Sequence, residues 1–455
     1  MENITDILCD LAFDMKYDLF PETTIIQTKK FIVDYFSACF AGYKVNKIFN
    51  ASVWSVLKSF GGVHQASVFL ELSKYPAPVA AFVNAMYAHG ADMDDGNRLS
   101  AGHIGTHVMS SVFALAEARK LQWKDVIVAI NVGYEFFNRI GCAAQPSLYN
   151  KGFHSTGVIG SIASAAACAK LLGLNKKQIY DSVSLAAIQS GGLIIIDESG
   201  QGCKPINPAN AAKIGILSAL ISEKGIDAPL CPLESQKGWF HAFAENIDLT
   251  RSLQNLGTTF TIDESYLKIY PTCRHTHSCI DAAVEIYKKL YTDEKKNKVK
   301  KIYVYTYPSA IKSAGMIIYP KTKEEAKFSI TYATVIALTK GMFKLDDLEP
   351  DNISNEAFEM IKKIELISDS SMENRILGIR GARMKVILED DSVIEKTVFT
   401  PKGEGKDTLA WEDLEKKLYS CAEGIIPTSQ VSQLLEQCKK VDKDSIFSYP
   451  VQLLE

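Results

Sequence analysis

Apolar residues recur at spacings of three and four along most of this chain, which is the period of helices that bury one face. Strict alternation of apolar and polar residues is confined to a later region, where it predicts strands over 300–308, 361–368 and 384–399. In the last of these segments Asp390, Asp391 and Ser392 form the predicted turn of a hairpin. The pattern therefore predicts a mainly α protein with one α+β region. The predicted helical segments are 4–42 (two helices), 50–60, a helix opened by Pro76 and Pro78, 108–140 (two helices), 152–174, 176–191, the stretch after 204, a helix from near Ser278 to 290, 324–342, and 410–440 (two helices).

The length of the chain argues against a single core. A protein of 455 residues exceeds the size at which one hydrophobic core normally suffices, so two domains are expected. The character of the sequence changes after about residue 265, where alternating segments appear, and it returns to helical spacing after the glycine-rich stretch near 402. We therefore expect a long helical region, a smaller α+β insert and a helical tail.

Composition excludes several classes of function. The net charge of −3 gives no overall basic surface for nucleic acid, and no apolar run reaches the roughly 20 residues that cross a bilayer. The N-terminus lacks the pattern of a secretion signal, and ten scattered cysteines are typical of reduced thiols, so a cytoplasmic location is expected. The glycine-rich, Walker A, nucleophile-elbow and zinc-protease motifs are also missing from the sequence. An acid–base enzyme that uses no cofactor and acts on an anionic substrate fits best.

The most unusual stretch is the connection from His89 to His107. It holds three histidines, three aspartates and Arg98 between two apolar helical runs. A solvated loop with helix-capping aspartates is one explanation. Charge next to a core is costly unless it is paired, however, and histidine beside aspartate suits proton transfer near neutral pH. We therefore favour an active-site role for this stretch, the acidic loop His89–His107.

Two further candidates lie near helix starts, and for each a structural explanation stays open. His154 precedes a helix rich in glycine, alanine and serine, and these small residues predict close contact with neighbouring helices. The positive end of this helix attracts anions. A histidine near a helix cap can equally be structural. Lys204 lies in a loop rich in glycine and proline, and it would matter only if it reached the same site as the acidic loop.

The segment from Cys273 to Cys279 alternates cysteine and histidine, which invites a metal interpretation. Alternation along an extended segment fits a tetrahedral zinc site poorly, because such sites normally use other spacings. We therefore expect no metal. Arg274, His275 and His277 are instead candidates for binding a substrate carboxylate.

Three stretches together resemble the MmgE/PrpD family. They are AHGADMDDGNRLSAGHIG, GFHSTGVIGSIASAAACAKLLGL and KIYPTCRHTHSCIDAA, and the resemblance extends in order over nearly the whole chain. The acidic loop differs from the decarboxylases of the family. It has Gly96 where they have threonine, Arg98 where histidine is common, and one more residue between Asp92 and His103.

The resemblance implies a fold and a class of reaction. The family includes 2-methylcitrate dehydratases, cis-aconitate decarboxylases and an iminodisuccinate epimerase. The implied architecture is a large all-helical domain, built from 1–266 and 404–455, with an α+β lid domain inserted at 267–403. A homodimer with neither metal nor organic cofactor is also implied. We expect a lyase of a small polycarboxylic acid that resembles the dehydratases. A decarboxylase, an epimerase and a carboxylate-binding scaffold without catalysis remain alternatives.

Matching motifs assign residues to roles. The resemblance singles out Asp92, His103, His154 and Lys204 as catalytic candidates, and Lys268 and His277 as substrate-binding ones. Each proposed reaction moves a proton on or off a carbon next to a carboxylate, and we assign that proton to His103, oriented by Asp92. His154 is a candidate second acid–base group. The expected cations for substrate carboxylates are Lys204, Lys268, Arg98 and His277, with Arg274 and His275 as further binding candidates.

Overall fold

A computed structural model describes residues 3–195, 202–292, 299–374, 377–405 and 409–451. The chain divides into two compact units. The helical unit comprises Met1–Gly90, Asp94–Leu267 and Ala410–Glu455, and the sheet unit comprises Ala91–Met93 and Lys268–Leu409. Both ends of the chain thus lie in one unit.

The amino-terminal part of the helical unit is a succession of helices. Their bounds are α1 Ile4–Asp14, α2 Glu22–Val45, α3 Lys47–Lys58, α4 Ala77–His89, α5 Gly105–Arg119, α6 Trp123–Ala144, α7 Ser147–Asn150, α8 Ser155–Leu171, α9 Lys176–Ala187, α10 Ile206–Glu223, α11 Trp239–Phe243 and α12 Leu249–Ser252. Between α3 and α4, strands β1 (Ala66–Ser67) and β2 (Lys74–Tyr75) pair in a short antiparallel ribbon. Among its described residues the unit is therefore helical apart from this ribbon, although the resemblance implied helices alone.

Helix α8 lies at the centre of the helical unit, where it packs against α5, α6, α9 and α10. Its small residues permit this close packing. A side-chain carbon at Gly160 would come within 2.9 Å of the His107 ring, and one at Gly215 of α10 within 2.3 Å of Ser164. Larger residues at these positions would push the helices apart. The expectation that small residues bring neighbouring helices into close contact here is confirmed.

The sheet unit is built on a four-stranded sheet. Its elements are α13 His277–Thr292, β3 Val299–Thr306, α14 Pro308–Ala314, α15 Lys323–Lys327, α16 Ile330–Lys340, α17 Asn355–Ile361, β4 Ile364–Ser368, β5 Glu373–Asn374, β6 Ile379–Arg380, β7 Ala382–Leu388 and β8 Val393–Val398. The strand order is β4-β3-β7-β8, with β3 and β4 parallel and the other pairs antiparallel. Helix α13 packs on β7 and β8 and also contacts α16. The predicted strands and hairpin turn are confirmed.

The carboxy-terminal segment adds α18 (Trp411–Ala422) and α19 (Thr428–Lys439) to the helical unit. Helix α18 packs against α2, and a fully buried ion pair joins them, with Lys417 Nζ 2.5 Å from Asp34 Oδ1. The predicted mainly α fold class is confirmed. Within the described ranges, every helix is too short or too polar to cross a membrane.

Candidate active site

The acidic loop begins where α4 ends, at His89, and α5 starts within it at Gly105. His89 and Asp94 are both buried, and His89 Nδ1 lies 2.8 Å from Asp94 Oδ2. Because an ionised carboxylate only accepts hydrogen bonds, His89 donates from Nδ1. The contact holds the Asp94 carboxylate in place inside the helical unit.

His103 lies against the other oxygen of the same carboxylate. Its Nδ1 is 2.8 Å from the main-chain carbonyl oxygen of Asp95 and 3.4 Å from Asp94 Oδ1. A carbonyl oxygen can only accept, so Nδ1 carries the hydrogen and the lone pair of the neutral ring is on Nε2. The His103 main-chain N–H also donates to Thr156 Oγ1 of α8, which anchors the residue to the central helix.

Asp95 fixes the loop to the helices around it. Its Oδ1 accepts from the main-chain N–H of Gly105 at 2.8 Å, and its Oδ2 accepts from Tyr134 Oη of α6 at 2.7 Å. Burial raises the pKa of the Asp95 carboxyl to about 8, although these two donors act in the opposite direction. The side chain of Asp95 therefore supports the loop, while its carbonyl oxygen sets the hydrogen position on His103.

The third histidine of the stretch has a different environment. His107 lies on α5, is fully buried, and has its Nδ1 3.0 Å from Ser164 Oγ of α8. Burial lowers the pKa of His107 to about 3, so the ring is neutral. Its position between helices indicates a structural role.

His154 caps α8 and lies in the helical unit close to the other imidazoles. Its side chain is 5% exposed, and its Nδ1 is 3.0 Å from the side-chain nitrogen of Asn207, near the start of α10. The main-chain N–H of His154 donates to the carbonyl oxygen of Gly192. The His89 ring centroid is 4.9 Å from that of His103 and 5.7 Å from that of His154, so the three rings form one imidazole cluster.

One group of side chains has the composition and spacing to hold a metal ion among the residues that the structure describes. His89, Asp94 and His103 each place one ligand atom within 4.8 Å of the others. Both histidines donate hydrogen bonds to oxygen from Nδ1, so a metal would have to bind through their Nε2 lone pairs. The absence of a metal stays a prediction.

The other two candidates of the helical unit are cationic. Arg98 lies in the acidic loop and is half-buried. Lys204 is half-buried in the turn before α10, three residues from Asn207. Both are in the same unit as the imidazole cluster.

Asp92 belongs to the sheet unit, where it pairs with Lys268. Lys268 is 1% exposed, and its Nζ lies 3.2 Å from Asp92 Oδ1 and 2.8 Å from the Asp92 carbonyl oxygen. Asp92 has a φ of 53°, in the left-handed region that few non-glycine residues adopt. The carboxylate that faces His103 within the helical unit is that of Asp94.

The remaining candidates are held by contacts within the sheet unit. The Arg274 guanidinium donates to Glu404 Oε2 at 3.0 Å, to two carbonyl oxygens near it, and to His277 Nδ1 at 3.1 Å. His277 is fully buried, and its Nε2 is 3.3 Å from the carbonyl oxygen of Thr272. His275 is half-buried with its Nδ1 2.7 Å from Tyr307 Oη.

These contacts change the expectation for His277. Burial, together with the charges of Arg274 and Lys268, holds the pKa of His277 well below its usual range. The ring is therefore neutral, with both nitrogens already hydrogen-bonded, and it cannot supply the positive charge that we expected for a substrate carboxylate. The Glu404 carboxylate likewise balances the charge of Arg274.

Sequence reasoning did not single out three residues of the helical unit, namely His89, Asp94 and Asn207. His89 and Asp94 lie in the acidic loop, so their composition was a signal, but nothing in the sequence says which aspartate faces which histidine. Asn207 gives no such signal, because one asparagine between Pro205 and Pro208 looks like an ordinary helix start.

The MmgE/PrpD N-terminal domain matches residues 6–252, and the MmgE/PrpD C-terminal domain matches residues 270–441. The predicted family is confirmed.

Several characterised relatives align over almost their entire length. Human cis-aconitate decarboxylase is 26% identical, with 97% of this chain and 92% of the human protein covered. Cis-aconitate decarboxylase of Aspergillus terreus is 24% identical, covering 99% of this chain and 96% of the fungal protein. The cis-aconitate decarboxylase of Mus musculus is 23% identical, covering 100% of this chain and 94% of the mouse protein. These relatives support the predicted enzyme class, a lyase of small polycarboxylic acids.

Proposed function

Because the chain belongs to the MmgE/PrpD family, we propose that it is a lyase that decarboxylates cis-aconitate or a close polycarboxylate analogue. The observation that carries the proposal is the His103 environment, in which Nδ1–H points at a carbonyl oxygen and the Asp94 carboxylate. A ring held in this way can take up and release a proton at Nε2. The names of the full-length relatives favour decarboxylation over the dehydration that we first expected.

The reaction divides into two steps. The bond between a carboxylate carbon and the carbon skeleton breaks, carbon dioxide leaves, and the electron pair passes into the conjugated system. We propose that protonated His103 then delivers a proton from Nε2 to carbon, which gives a five-carbon unsaturated dicarboxylate. The enzyme regains that proton from water, so one trianion and one proton become one dianion and carbon dioxide.

Asp94 supports this role of His103. The carboxylate, 3.4 Å from Nδ1, stabilises the imidazolium form that exists before proton delivery. His89 donates to the opposite oxygen of Asp94 and so fixes its orientation. This arrangement is our proposal for the orienting role that the sequence assigned to Asp92.

Positive charge is needed wherever a polycarboxylate binds. In the helical unit we propose Lys204 and Arg98 for this task, because both are half-buried in loops of the same unit as His103. In the sheet unit Lys268 and His275 remain proposed substrate-binding residues, with Asp92 holding Lys268 in position. Arg274 and His277 are proposed to organise that unit through their mutual contacts.

Position 96 bears on the choice of substrate. A side-chain carbon at Gly96 would lie 2.5 Å from Tyr266 Oη and 2.9 Å from the Gly102 carbonyl oxygen. Because Tyr266 fills this space, the chain cannot place a threonine hydroxyl there without rearrangement. We therefore propose a substrate contact that differs from that of the decarboxylases, which makes a panel of related acids necessary.

A homodimer in the cytoplasm completes the proposal. The homodimer is what the family membership implies, and it remains a proposal. The ten cysteines, all within the described residues, form no disulfide, as is typical of a reducing compartment. Light scattering during size-exclusion chromatography would measure the oligomeric state.

The direct test is proton NMR of the purified enzyme with cis-aconitate, citrate and 2-methylcitrate in deuterated water. We expect the vinyl signals of a five-carbon dicarboxylate from cis-aconitate. A dehydratase would instead produce an unsaturated acid from 2-methylcitrate, and an epimerase would only exchange deuterium. Thermal stabilisation by these acids with no turnover would indicate a binding scaffold and contradict the proposed function.

A further inference from the structure

We propose that His154 acts as a neutral hydrogen-bond donor, fixed in that state by Asn207, and does not transfer protons as a second acid–base group. In this role the Nε2–H of His154 binds a substrate carboxylate and stabilises the negative charge that develops on it. The inference deepens the proposed lyase function and rests on it. The state of the ring itself follows from contacts that do not depend on the substrate.

The orientation of the Asn207 amide is set by two neighbours. Its side-chain nitrogen lies 3.1 Å from the carbonyl oxygen of Leu193 and 3.0 Å from His154 Nδ1. A carbonyl oxygen can only accept, so the NH₂ group and not the amide oxygen faces Leu193. The same NH₂ group therefore donates to His154, whose Nδ1 must present a lone pair.

A lone pair on Nδ1 determines the rest of the ring. The only hydrogen of the neutral imidazole is then on Nε2, and a second proton on Nδ1 would meet the N–H of Asn207. A neutral imidazole releases its N–H proton very reluctantly, but it donates a hydrogen bond well. Enzymes use neutral imidazoles in this way to polarise a carbonyl group.

The position of His154 in the fold also favours a neutral imidazole ring. It is the N-cap of α8, a helix of 17 residues, so the partial positive charge of the helix start lies next to the ring. That field disfavours a second proton on the imidazole and favours an anion beside it. His154 and Asn207 are both in the helical unit, as is His103.

Asn207 is also held firmly enough to impose this state. A side-chain carbon at Gly157 would come within 3.2 Å of Asn207 Cβ, and one at Gly192 within 3.2 Å of its Cγ. The glycines thus allow the asparagine to pack closely against the start of α8. We class Asn207 as a positioning residue, because it acts on the reaction through His154.

A matched pair of variants separates a donor from an acid–base group. Glutamine can place its amide N–H near the position of Nε2 but cannot transfer a proton, and leucine can do neither. We expect His154→Gln to keep kcat/KM within about tenfold of wild type, and His154→Leu to lose about 10²–10³-fold. Equal and large losses in both variants would overturn the inference.

A second variant reverses the hydrogen bond. Asn207→Asp is nearly isosteric, but its carboxylate accepts and so draws a proton onto Nδ1 of His154. We expect a loss in kcat of about 10²-fold or more and a new titration in the pH–rate profile. Asn207→Ser, which imposes neither state, should lose less. Equal losses in the two variants, with unchanged pH profiles, would contradict a positioning role.

Nitrogen-15 NMR of histidine-labelled enzyme reads the state of the ring without any substrate, with the His154→Gln spectrum assigning the signals. Wild-type His154 should show a hydrogen-bearing Nε2 and a lone pair on Nδ1, and Asn207→Asp should place the hydrogen on Nδ1. A hydrogen on Nδ1 in the wild type would overturn the inference whatever the activity. If cis-aconitate is not turned over, the proposed function fails, and this spectrum still decides the state of His154.

Discussion

Two histidines of the helical unit, His103 and His154, have the same side chain and opposite surroundings. At His103, Nδ1 meets a carbonyl oxygen and a carboxylate, so it carries a hydrogen and the ring can exchange a proton at Nε2. At His154, Nδ1 meets an amide N–H, so the hydrogen is on Nε2. The hydrogen-bond partner of Nδ1 therefore decides whether Nε2 of an imidazole can accept a proton or can only donate a hydrogen bond.

The largest effect should come from removing the proton-transfer group. His103→Gln keeps the size of the side chain but cannot transfer a proton, so we expect kcat to fall by about 10²–10⁴-fold. Steady-state kinetics with the substrate that the NMR panel identifies would measure this loss. Circular dichroism and thermal unfolding serve as the folding control. Turnover close to wild type would remove His103 from the mechanism and erase the difference between the two histidines.

A smaller effect should follow from changing the carboxylate behind His103. Asp94→Asn keeps the shape but removes the charge that stabilises the imidazolium, so we expect kcat/KM to fall by about tenfold to a hundredfold. Loss of a nearby negative charge makes an imidazole a weaker base. The alkaline limb of the kcat/KM profile, where His103 loses the proton that it must deliver, should therefore move to lower pH by about one unit or more.

The pH profile is the readout that a purely structural role of Asp94 would not change. A useful control is Asp34→Asn, which removes a buried carboxylate elsewhere in the helical unit, where it pairs with Lys417. That variant should lose stability without moving the alkaline limb. If the limb stays in place in Asp94→Asn as well, the carboxylate does not act on His103.

The smallest effect on activity should come from the side chain of Asp95, because the contact to His103 is made by its main-chain carbonyl oxygen. Asp95→Asn leaves that oxygen in place, so we expect kcat/KM to change less than in Asp94→Asn. Stability should respond instead. Burial raises the pKa of Asp95 to about 8, so the folded protein stays protonated there while the unfolded chain ionises above about pH 4.

The sign of the stability effect follows from proton counting. Between about pH 4 and 8 the folded state binds the extra proton, so this residue makes wild type less stable as pH rises. Asp95→Asn lacks that dependence. Its free energy of unfolding relative to wild type should increase by at least about 1 kcal/mol between pH 5 and 7.5, measured by urea unfolding. Parallel curves for the two proteins would show that Asp95 is ionised in the fold.

Hydrophobic spacing predicted the helices and strands well, because burial of one face leaves a periodic trace in the sequence. The small residues of 155–169 predicted close helix packing, because short side chains let neighbouring helices approach closely. Side-chain pairing left no such trace. Asp92 and Asp94 are two residues apart, yet the left-handed backbone at Asp92 accompanies its pairing with Lys268, and Asp94 lies between two imidazoles. Asn207 and His154 are neighbours only through the packing of α8 and α10.

One nitrogen-15 spectrum of the histidine-labelled wild-type enzyme at mildly alkaline pH tests the different states of the two rings most directly, with the His103→Gln and His154→Gln variants assigning the signals. We expect opposite patterns, with hydrogen on Nδ1 and a lone pair on Nε2 in His103, and the reverse in His154. The same pattern in both rings would contradict the division of roles between them.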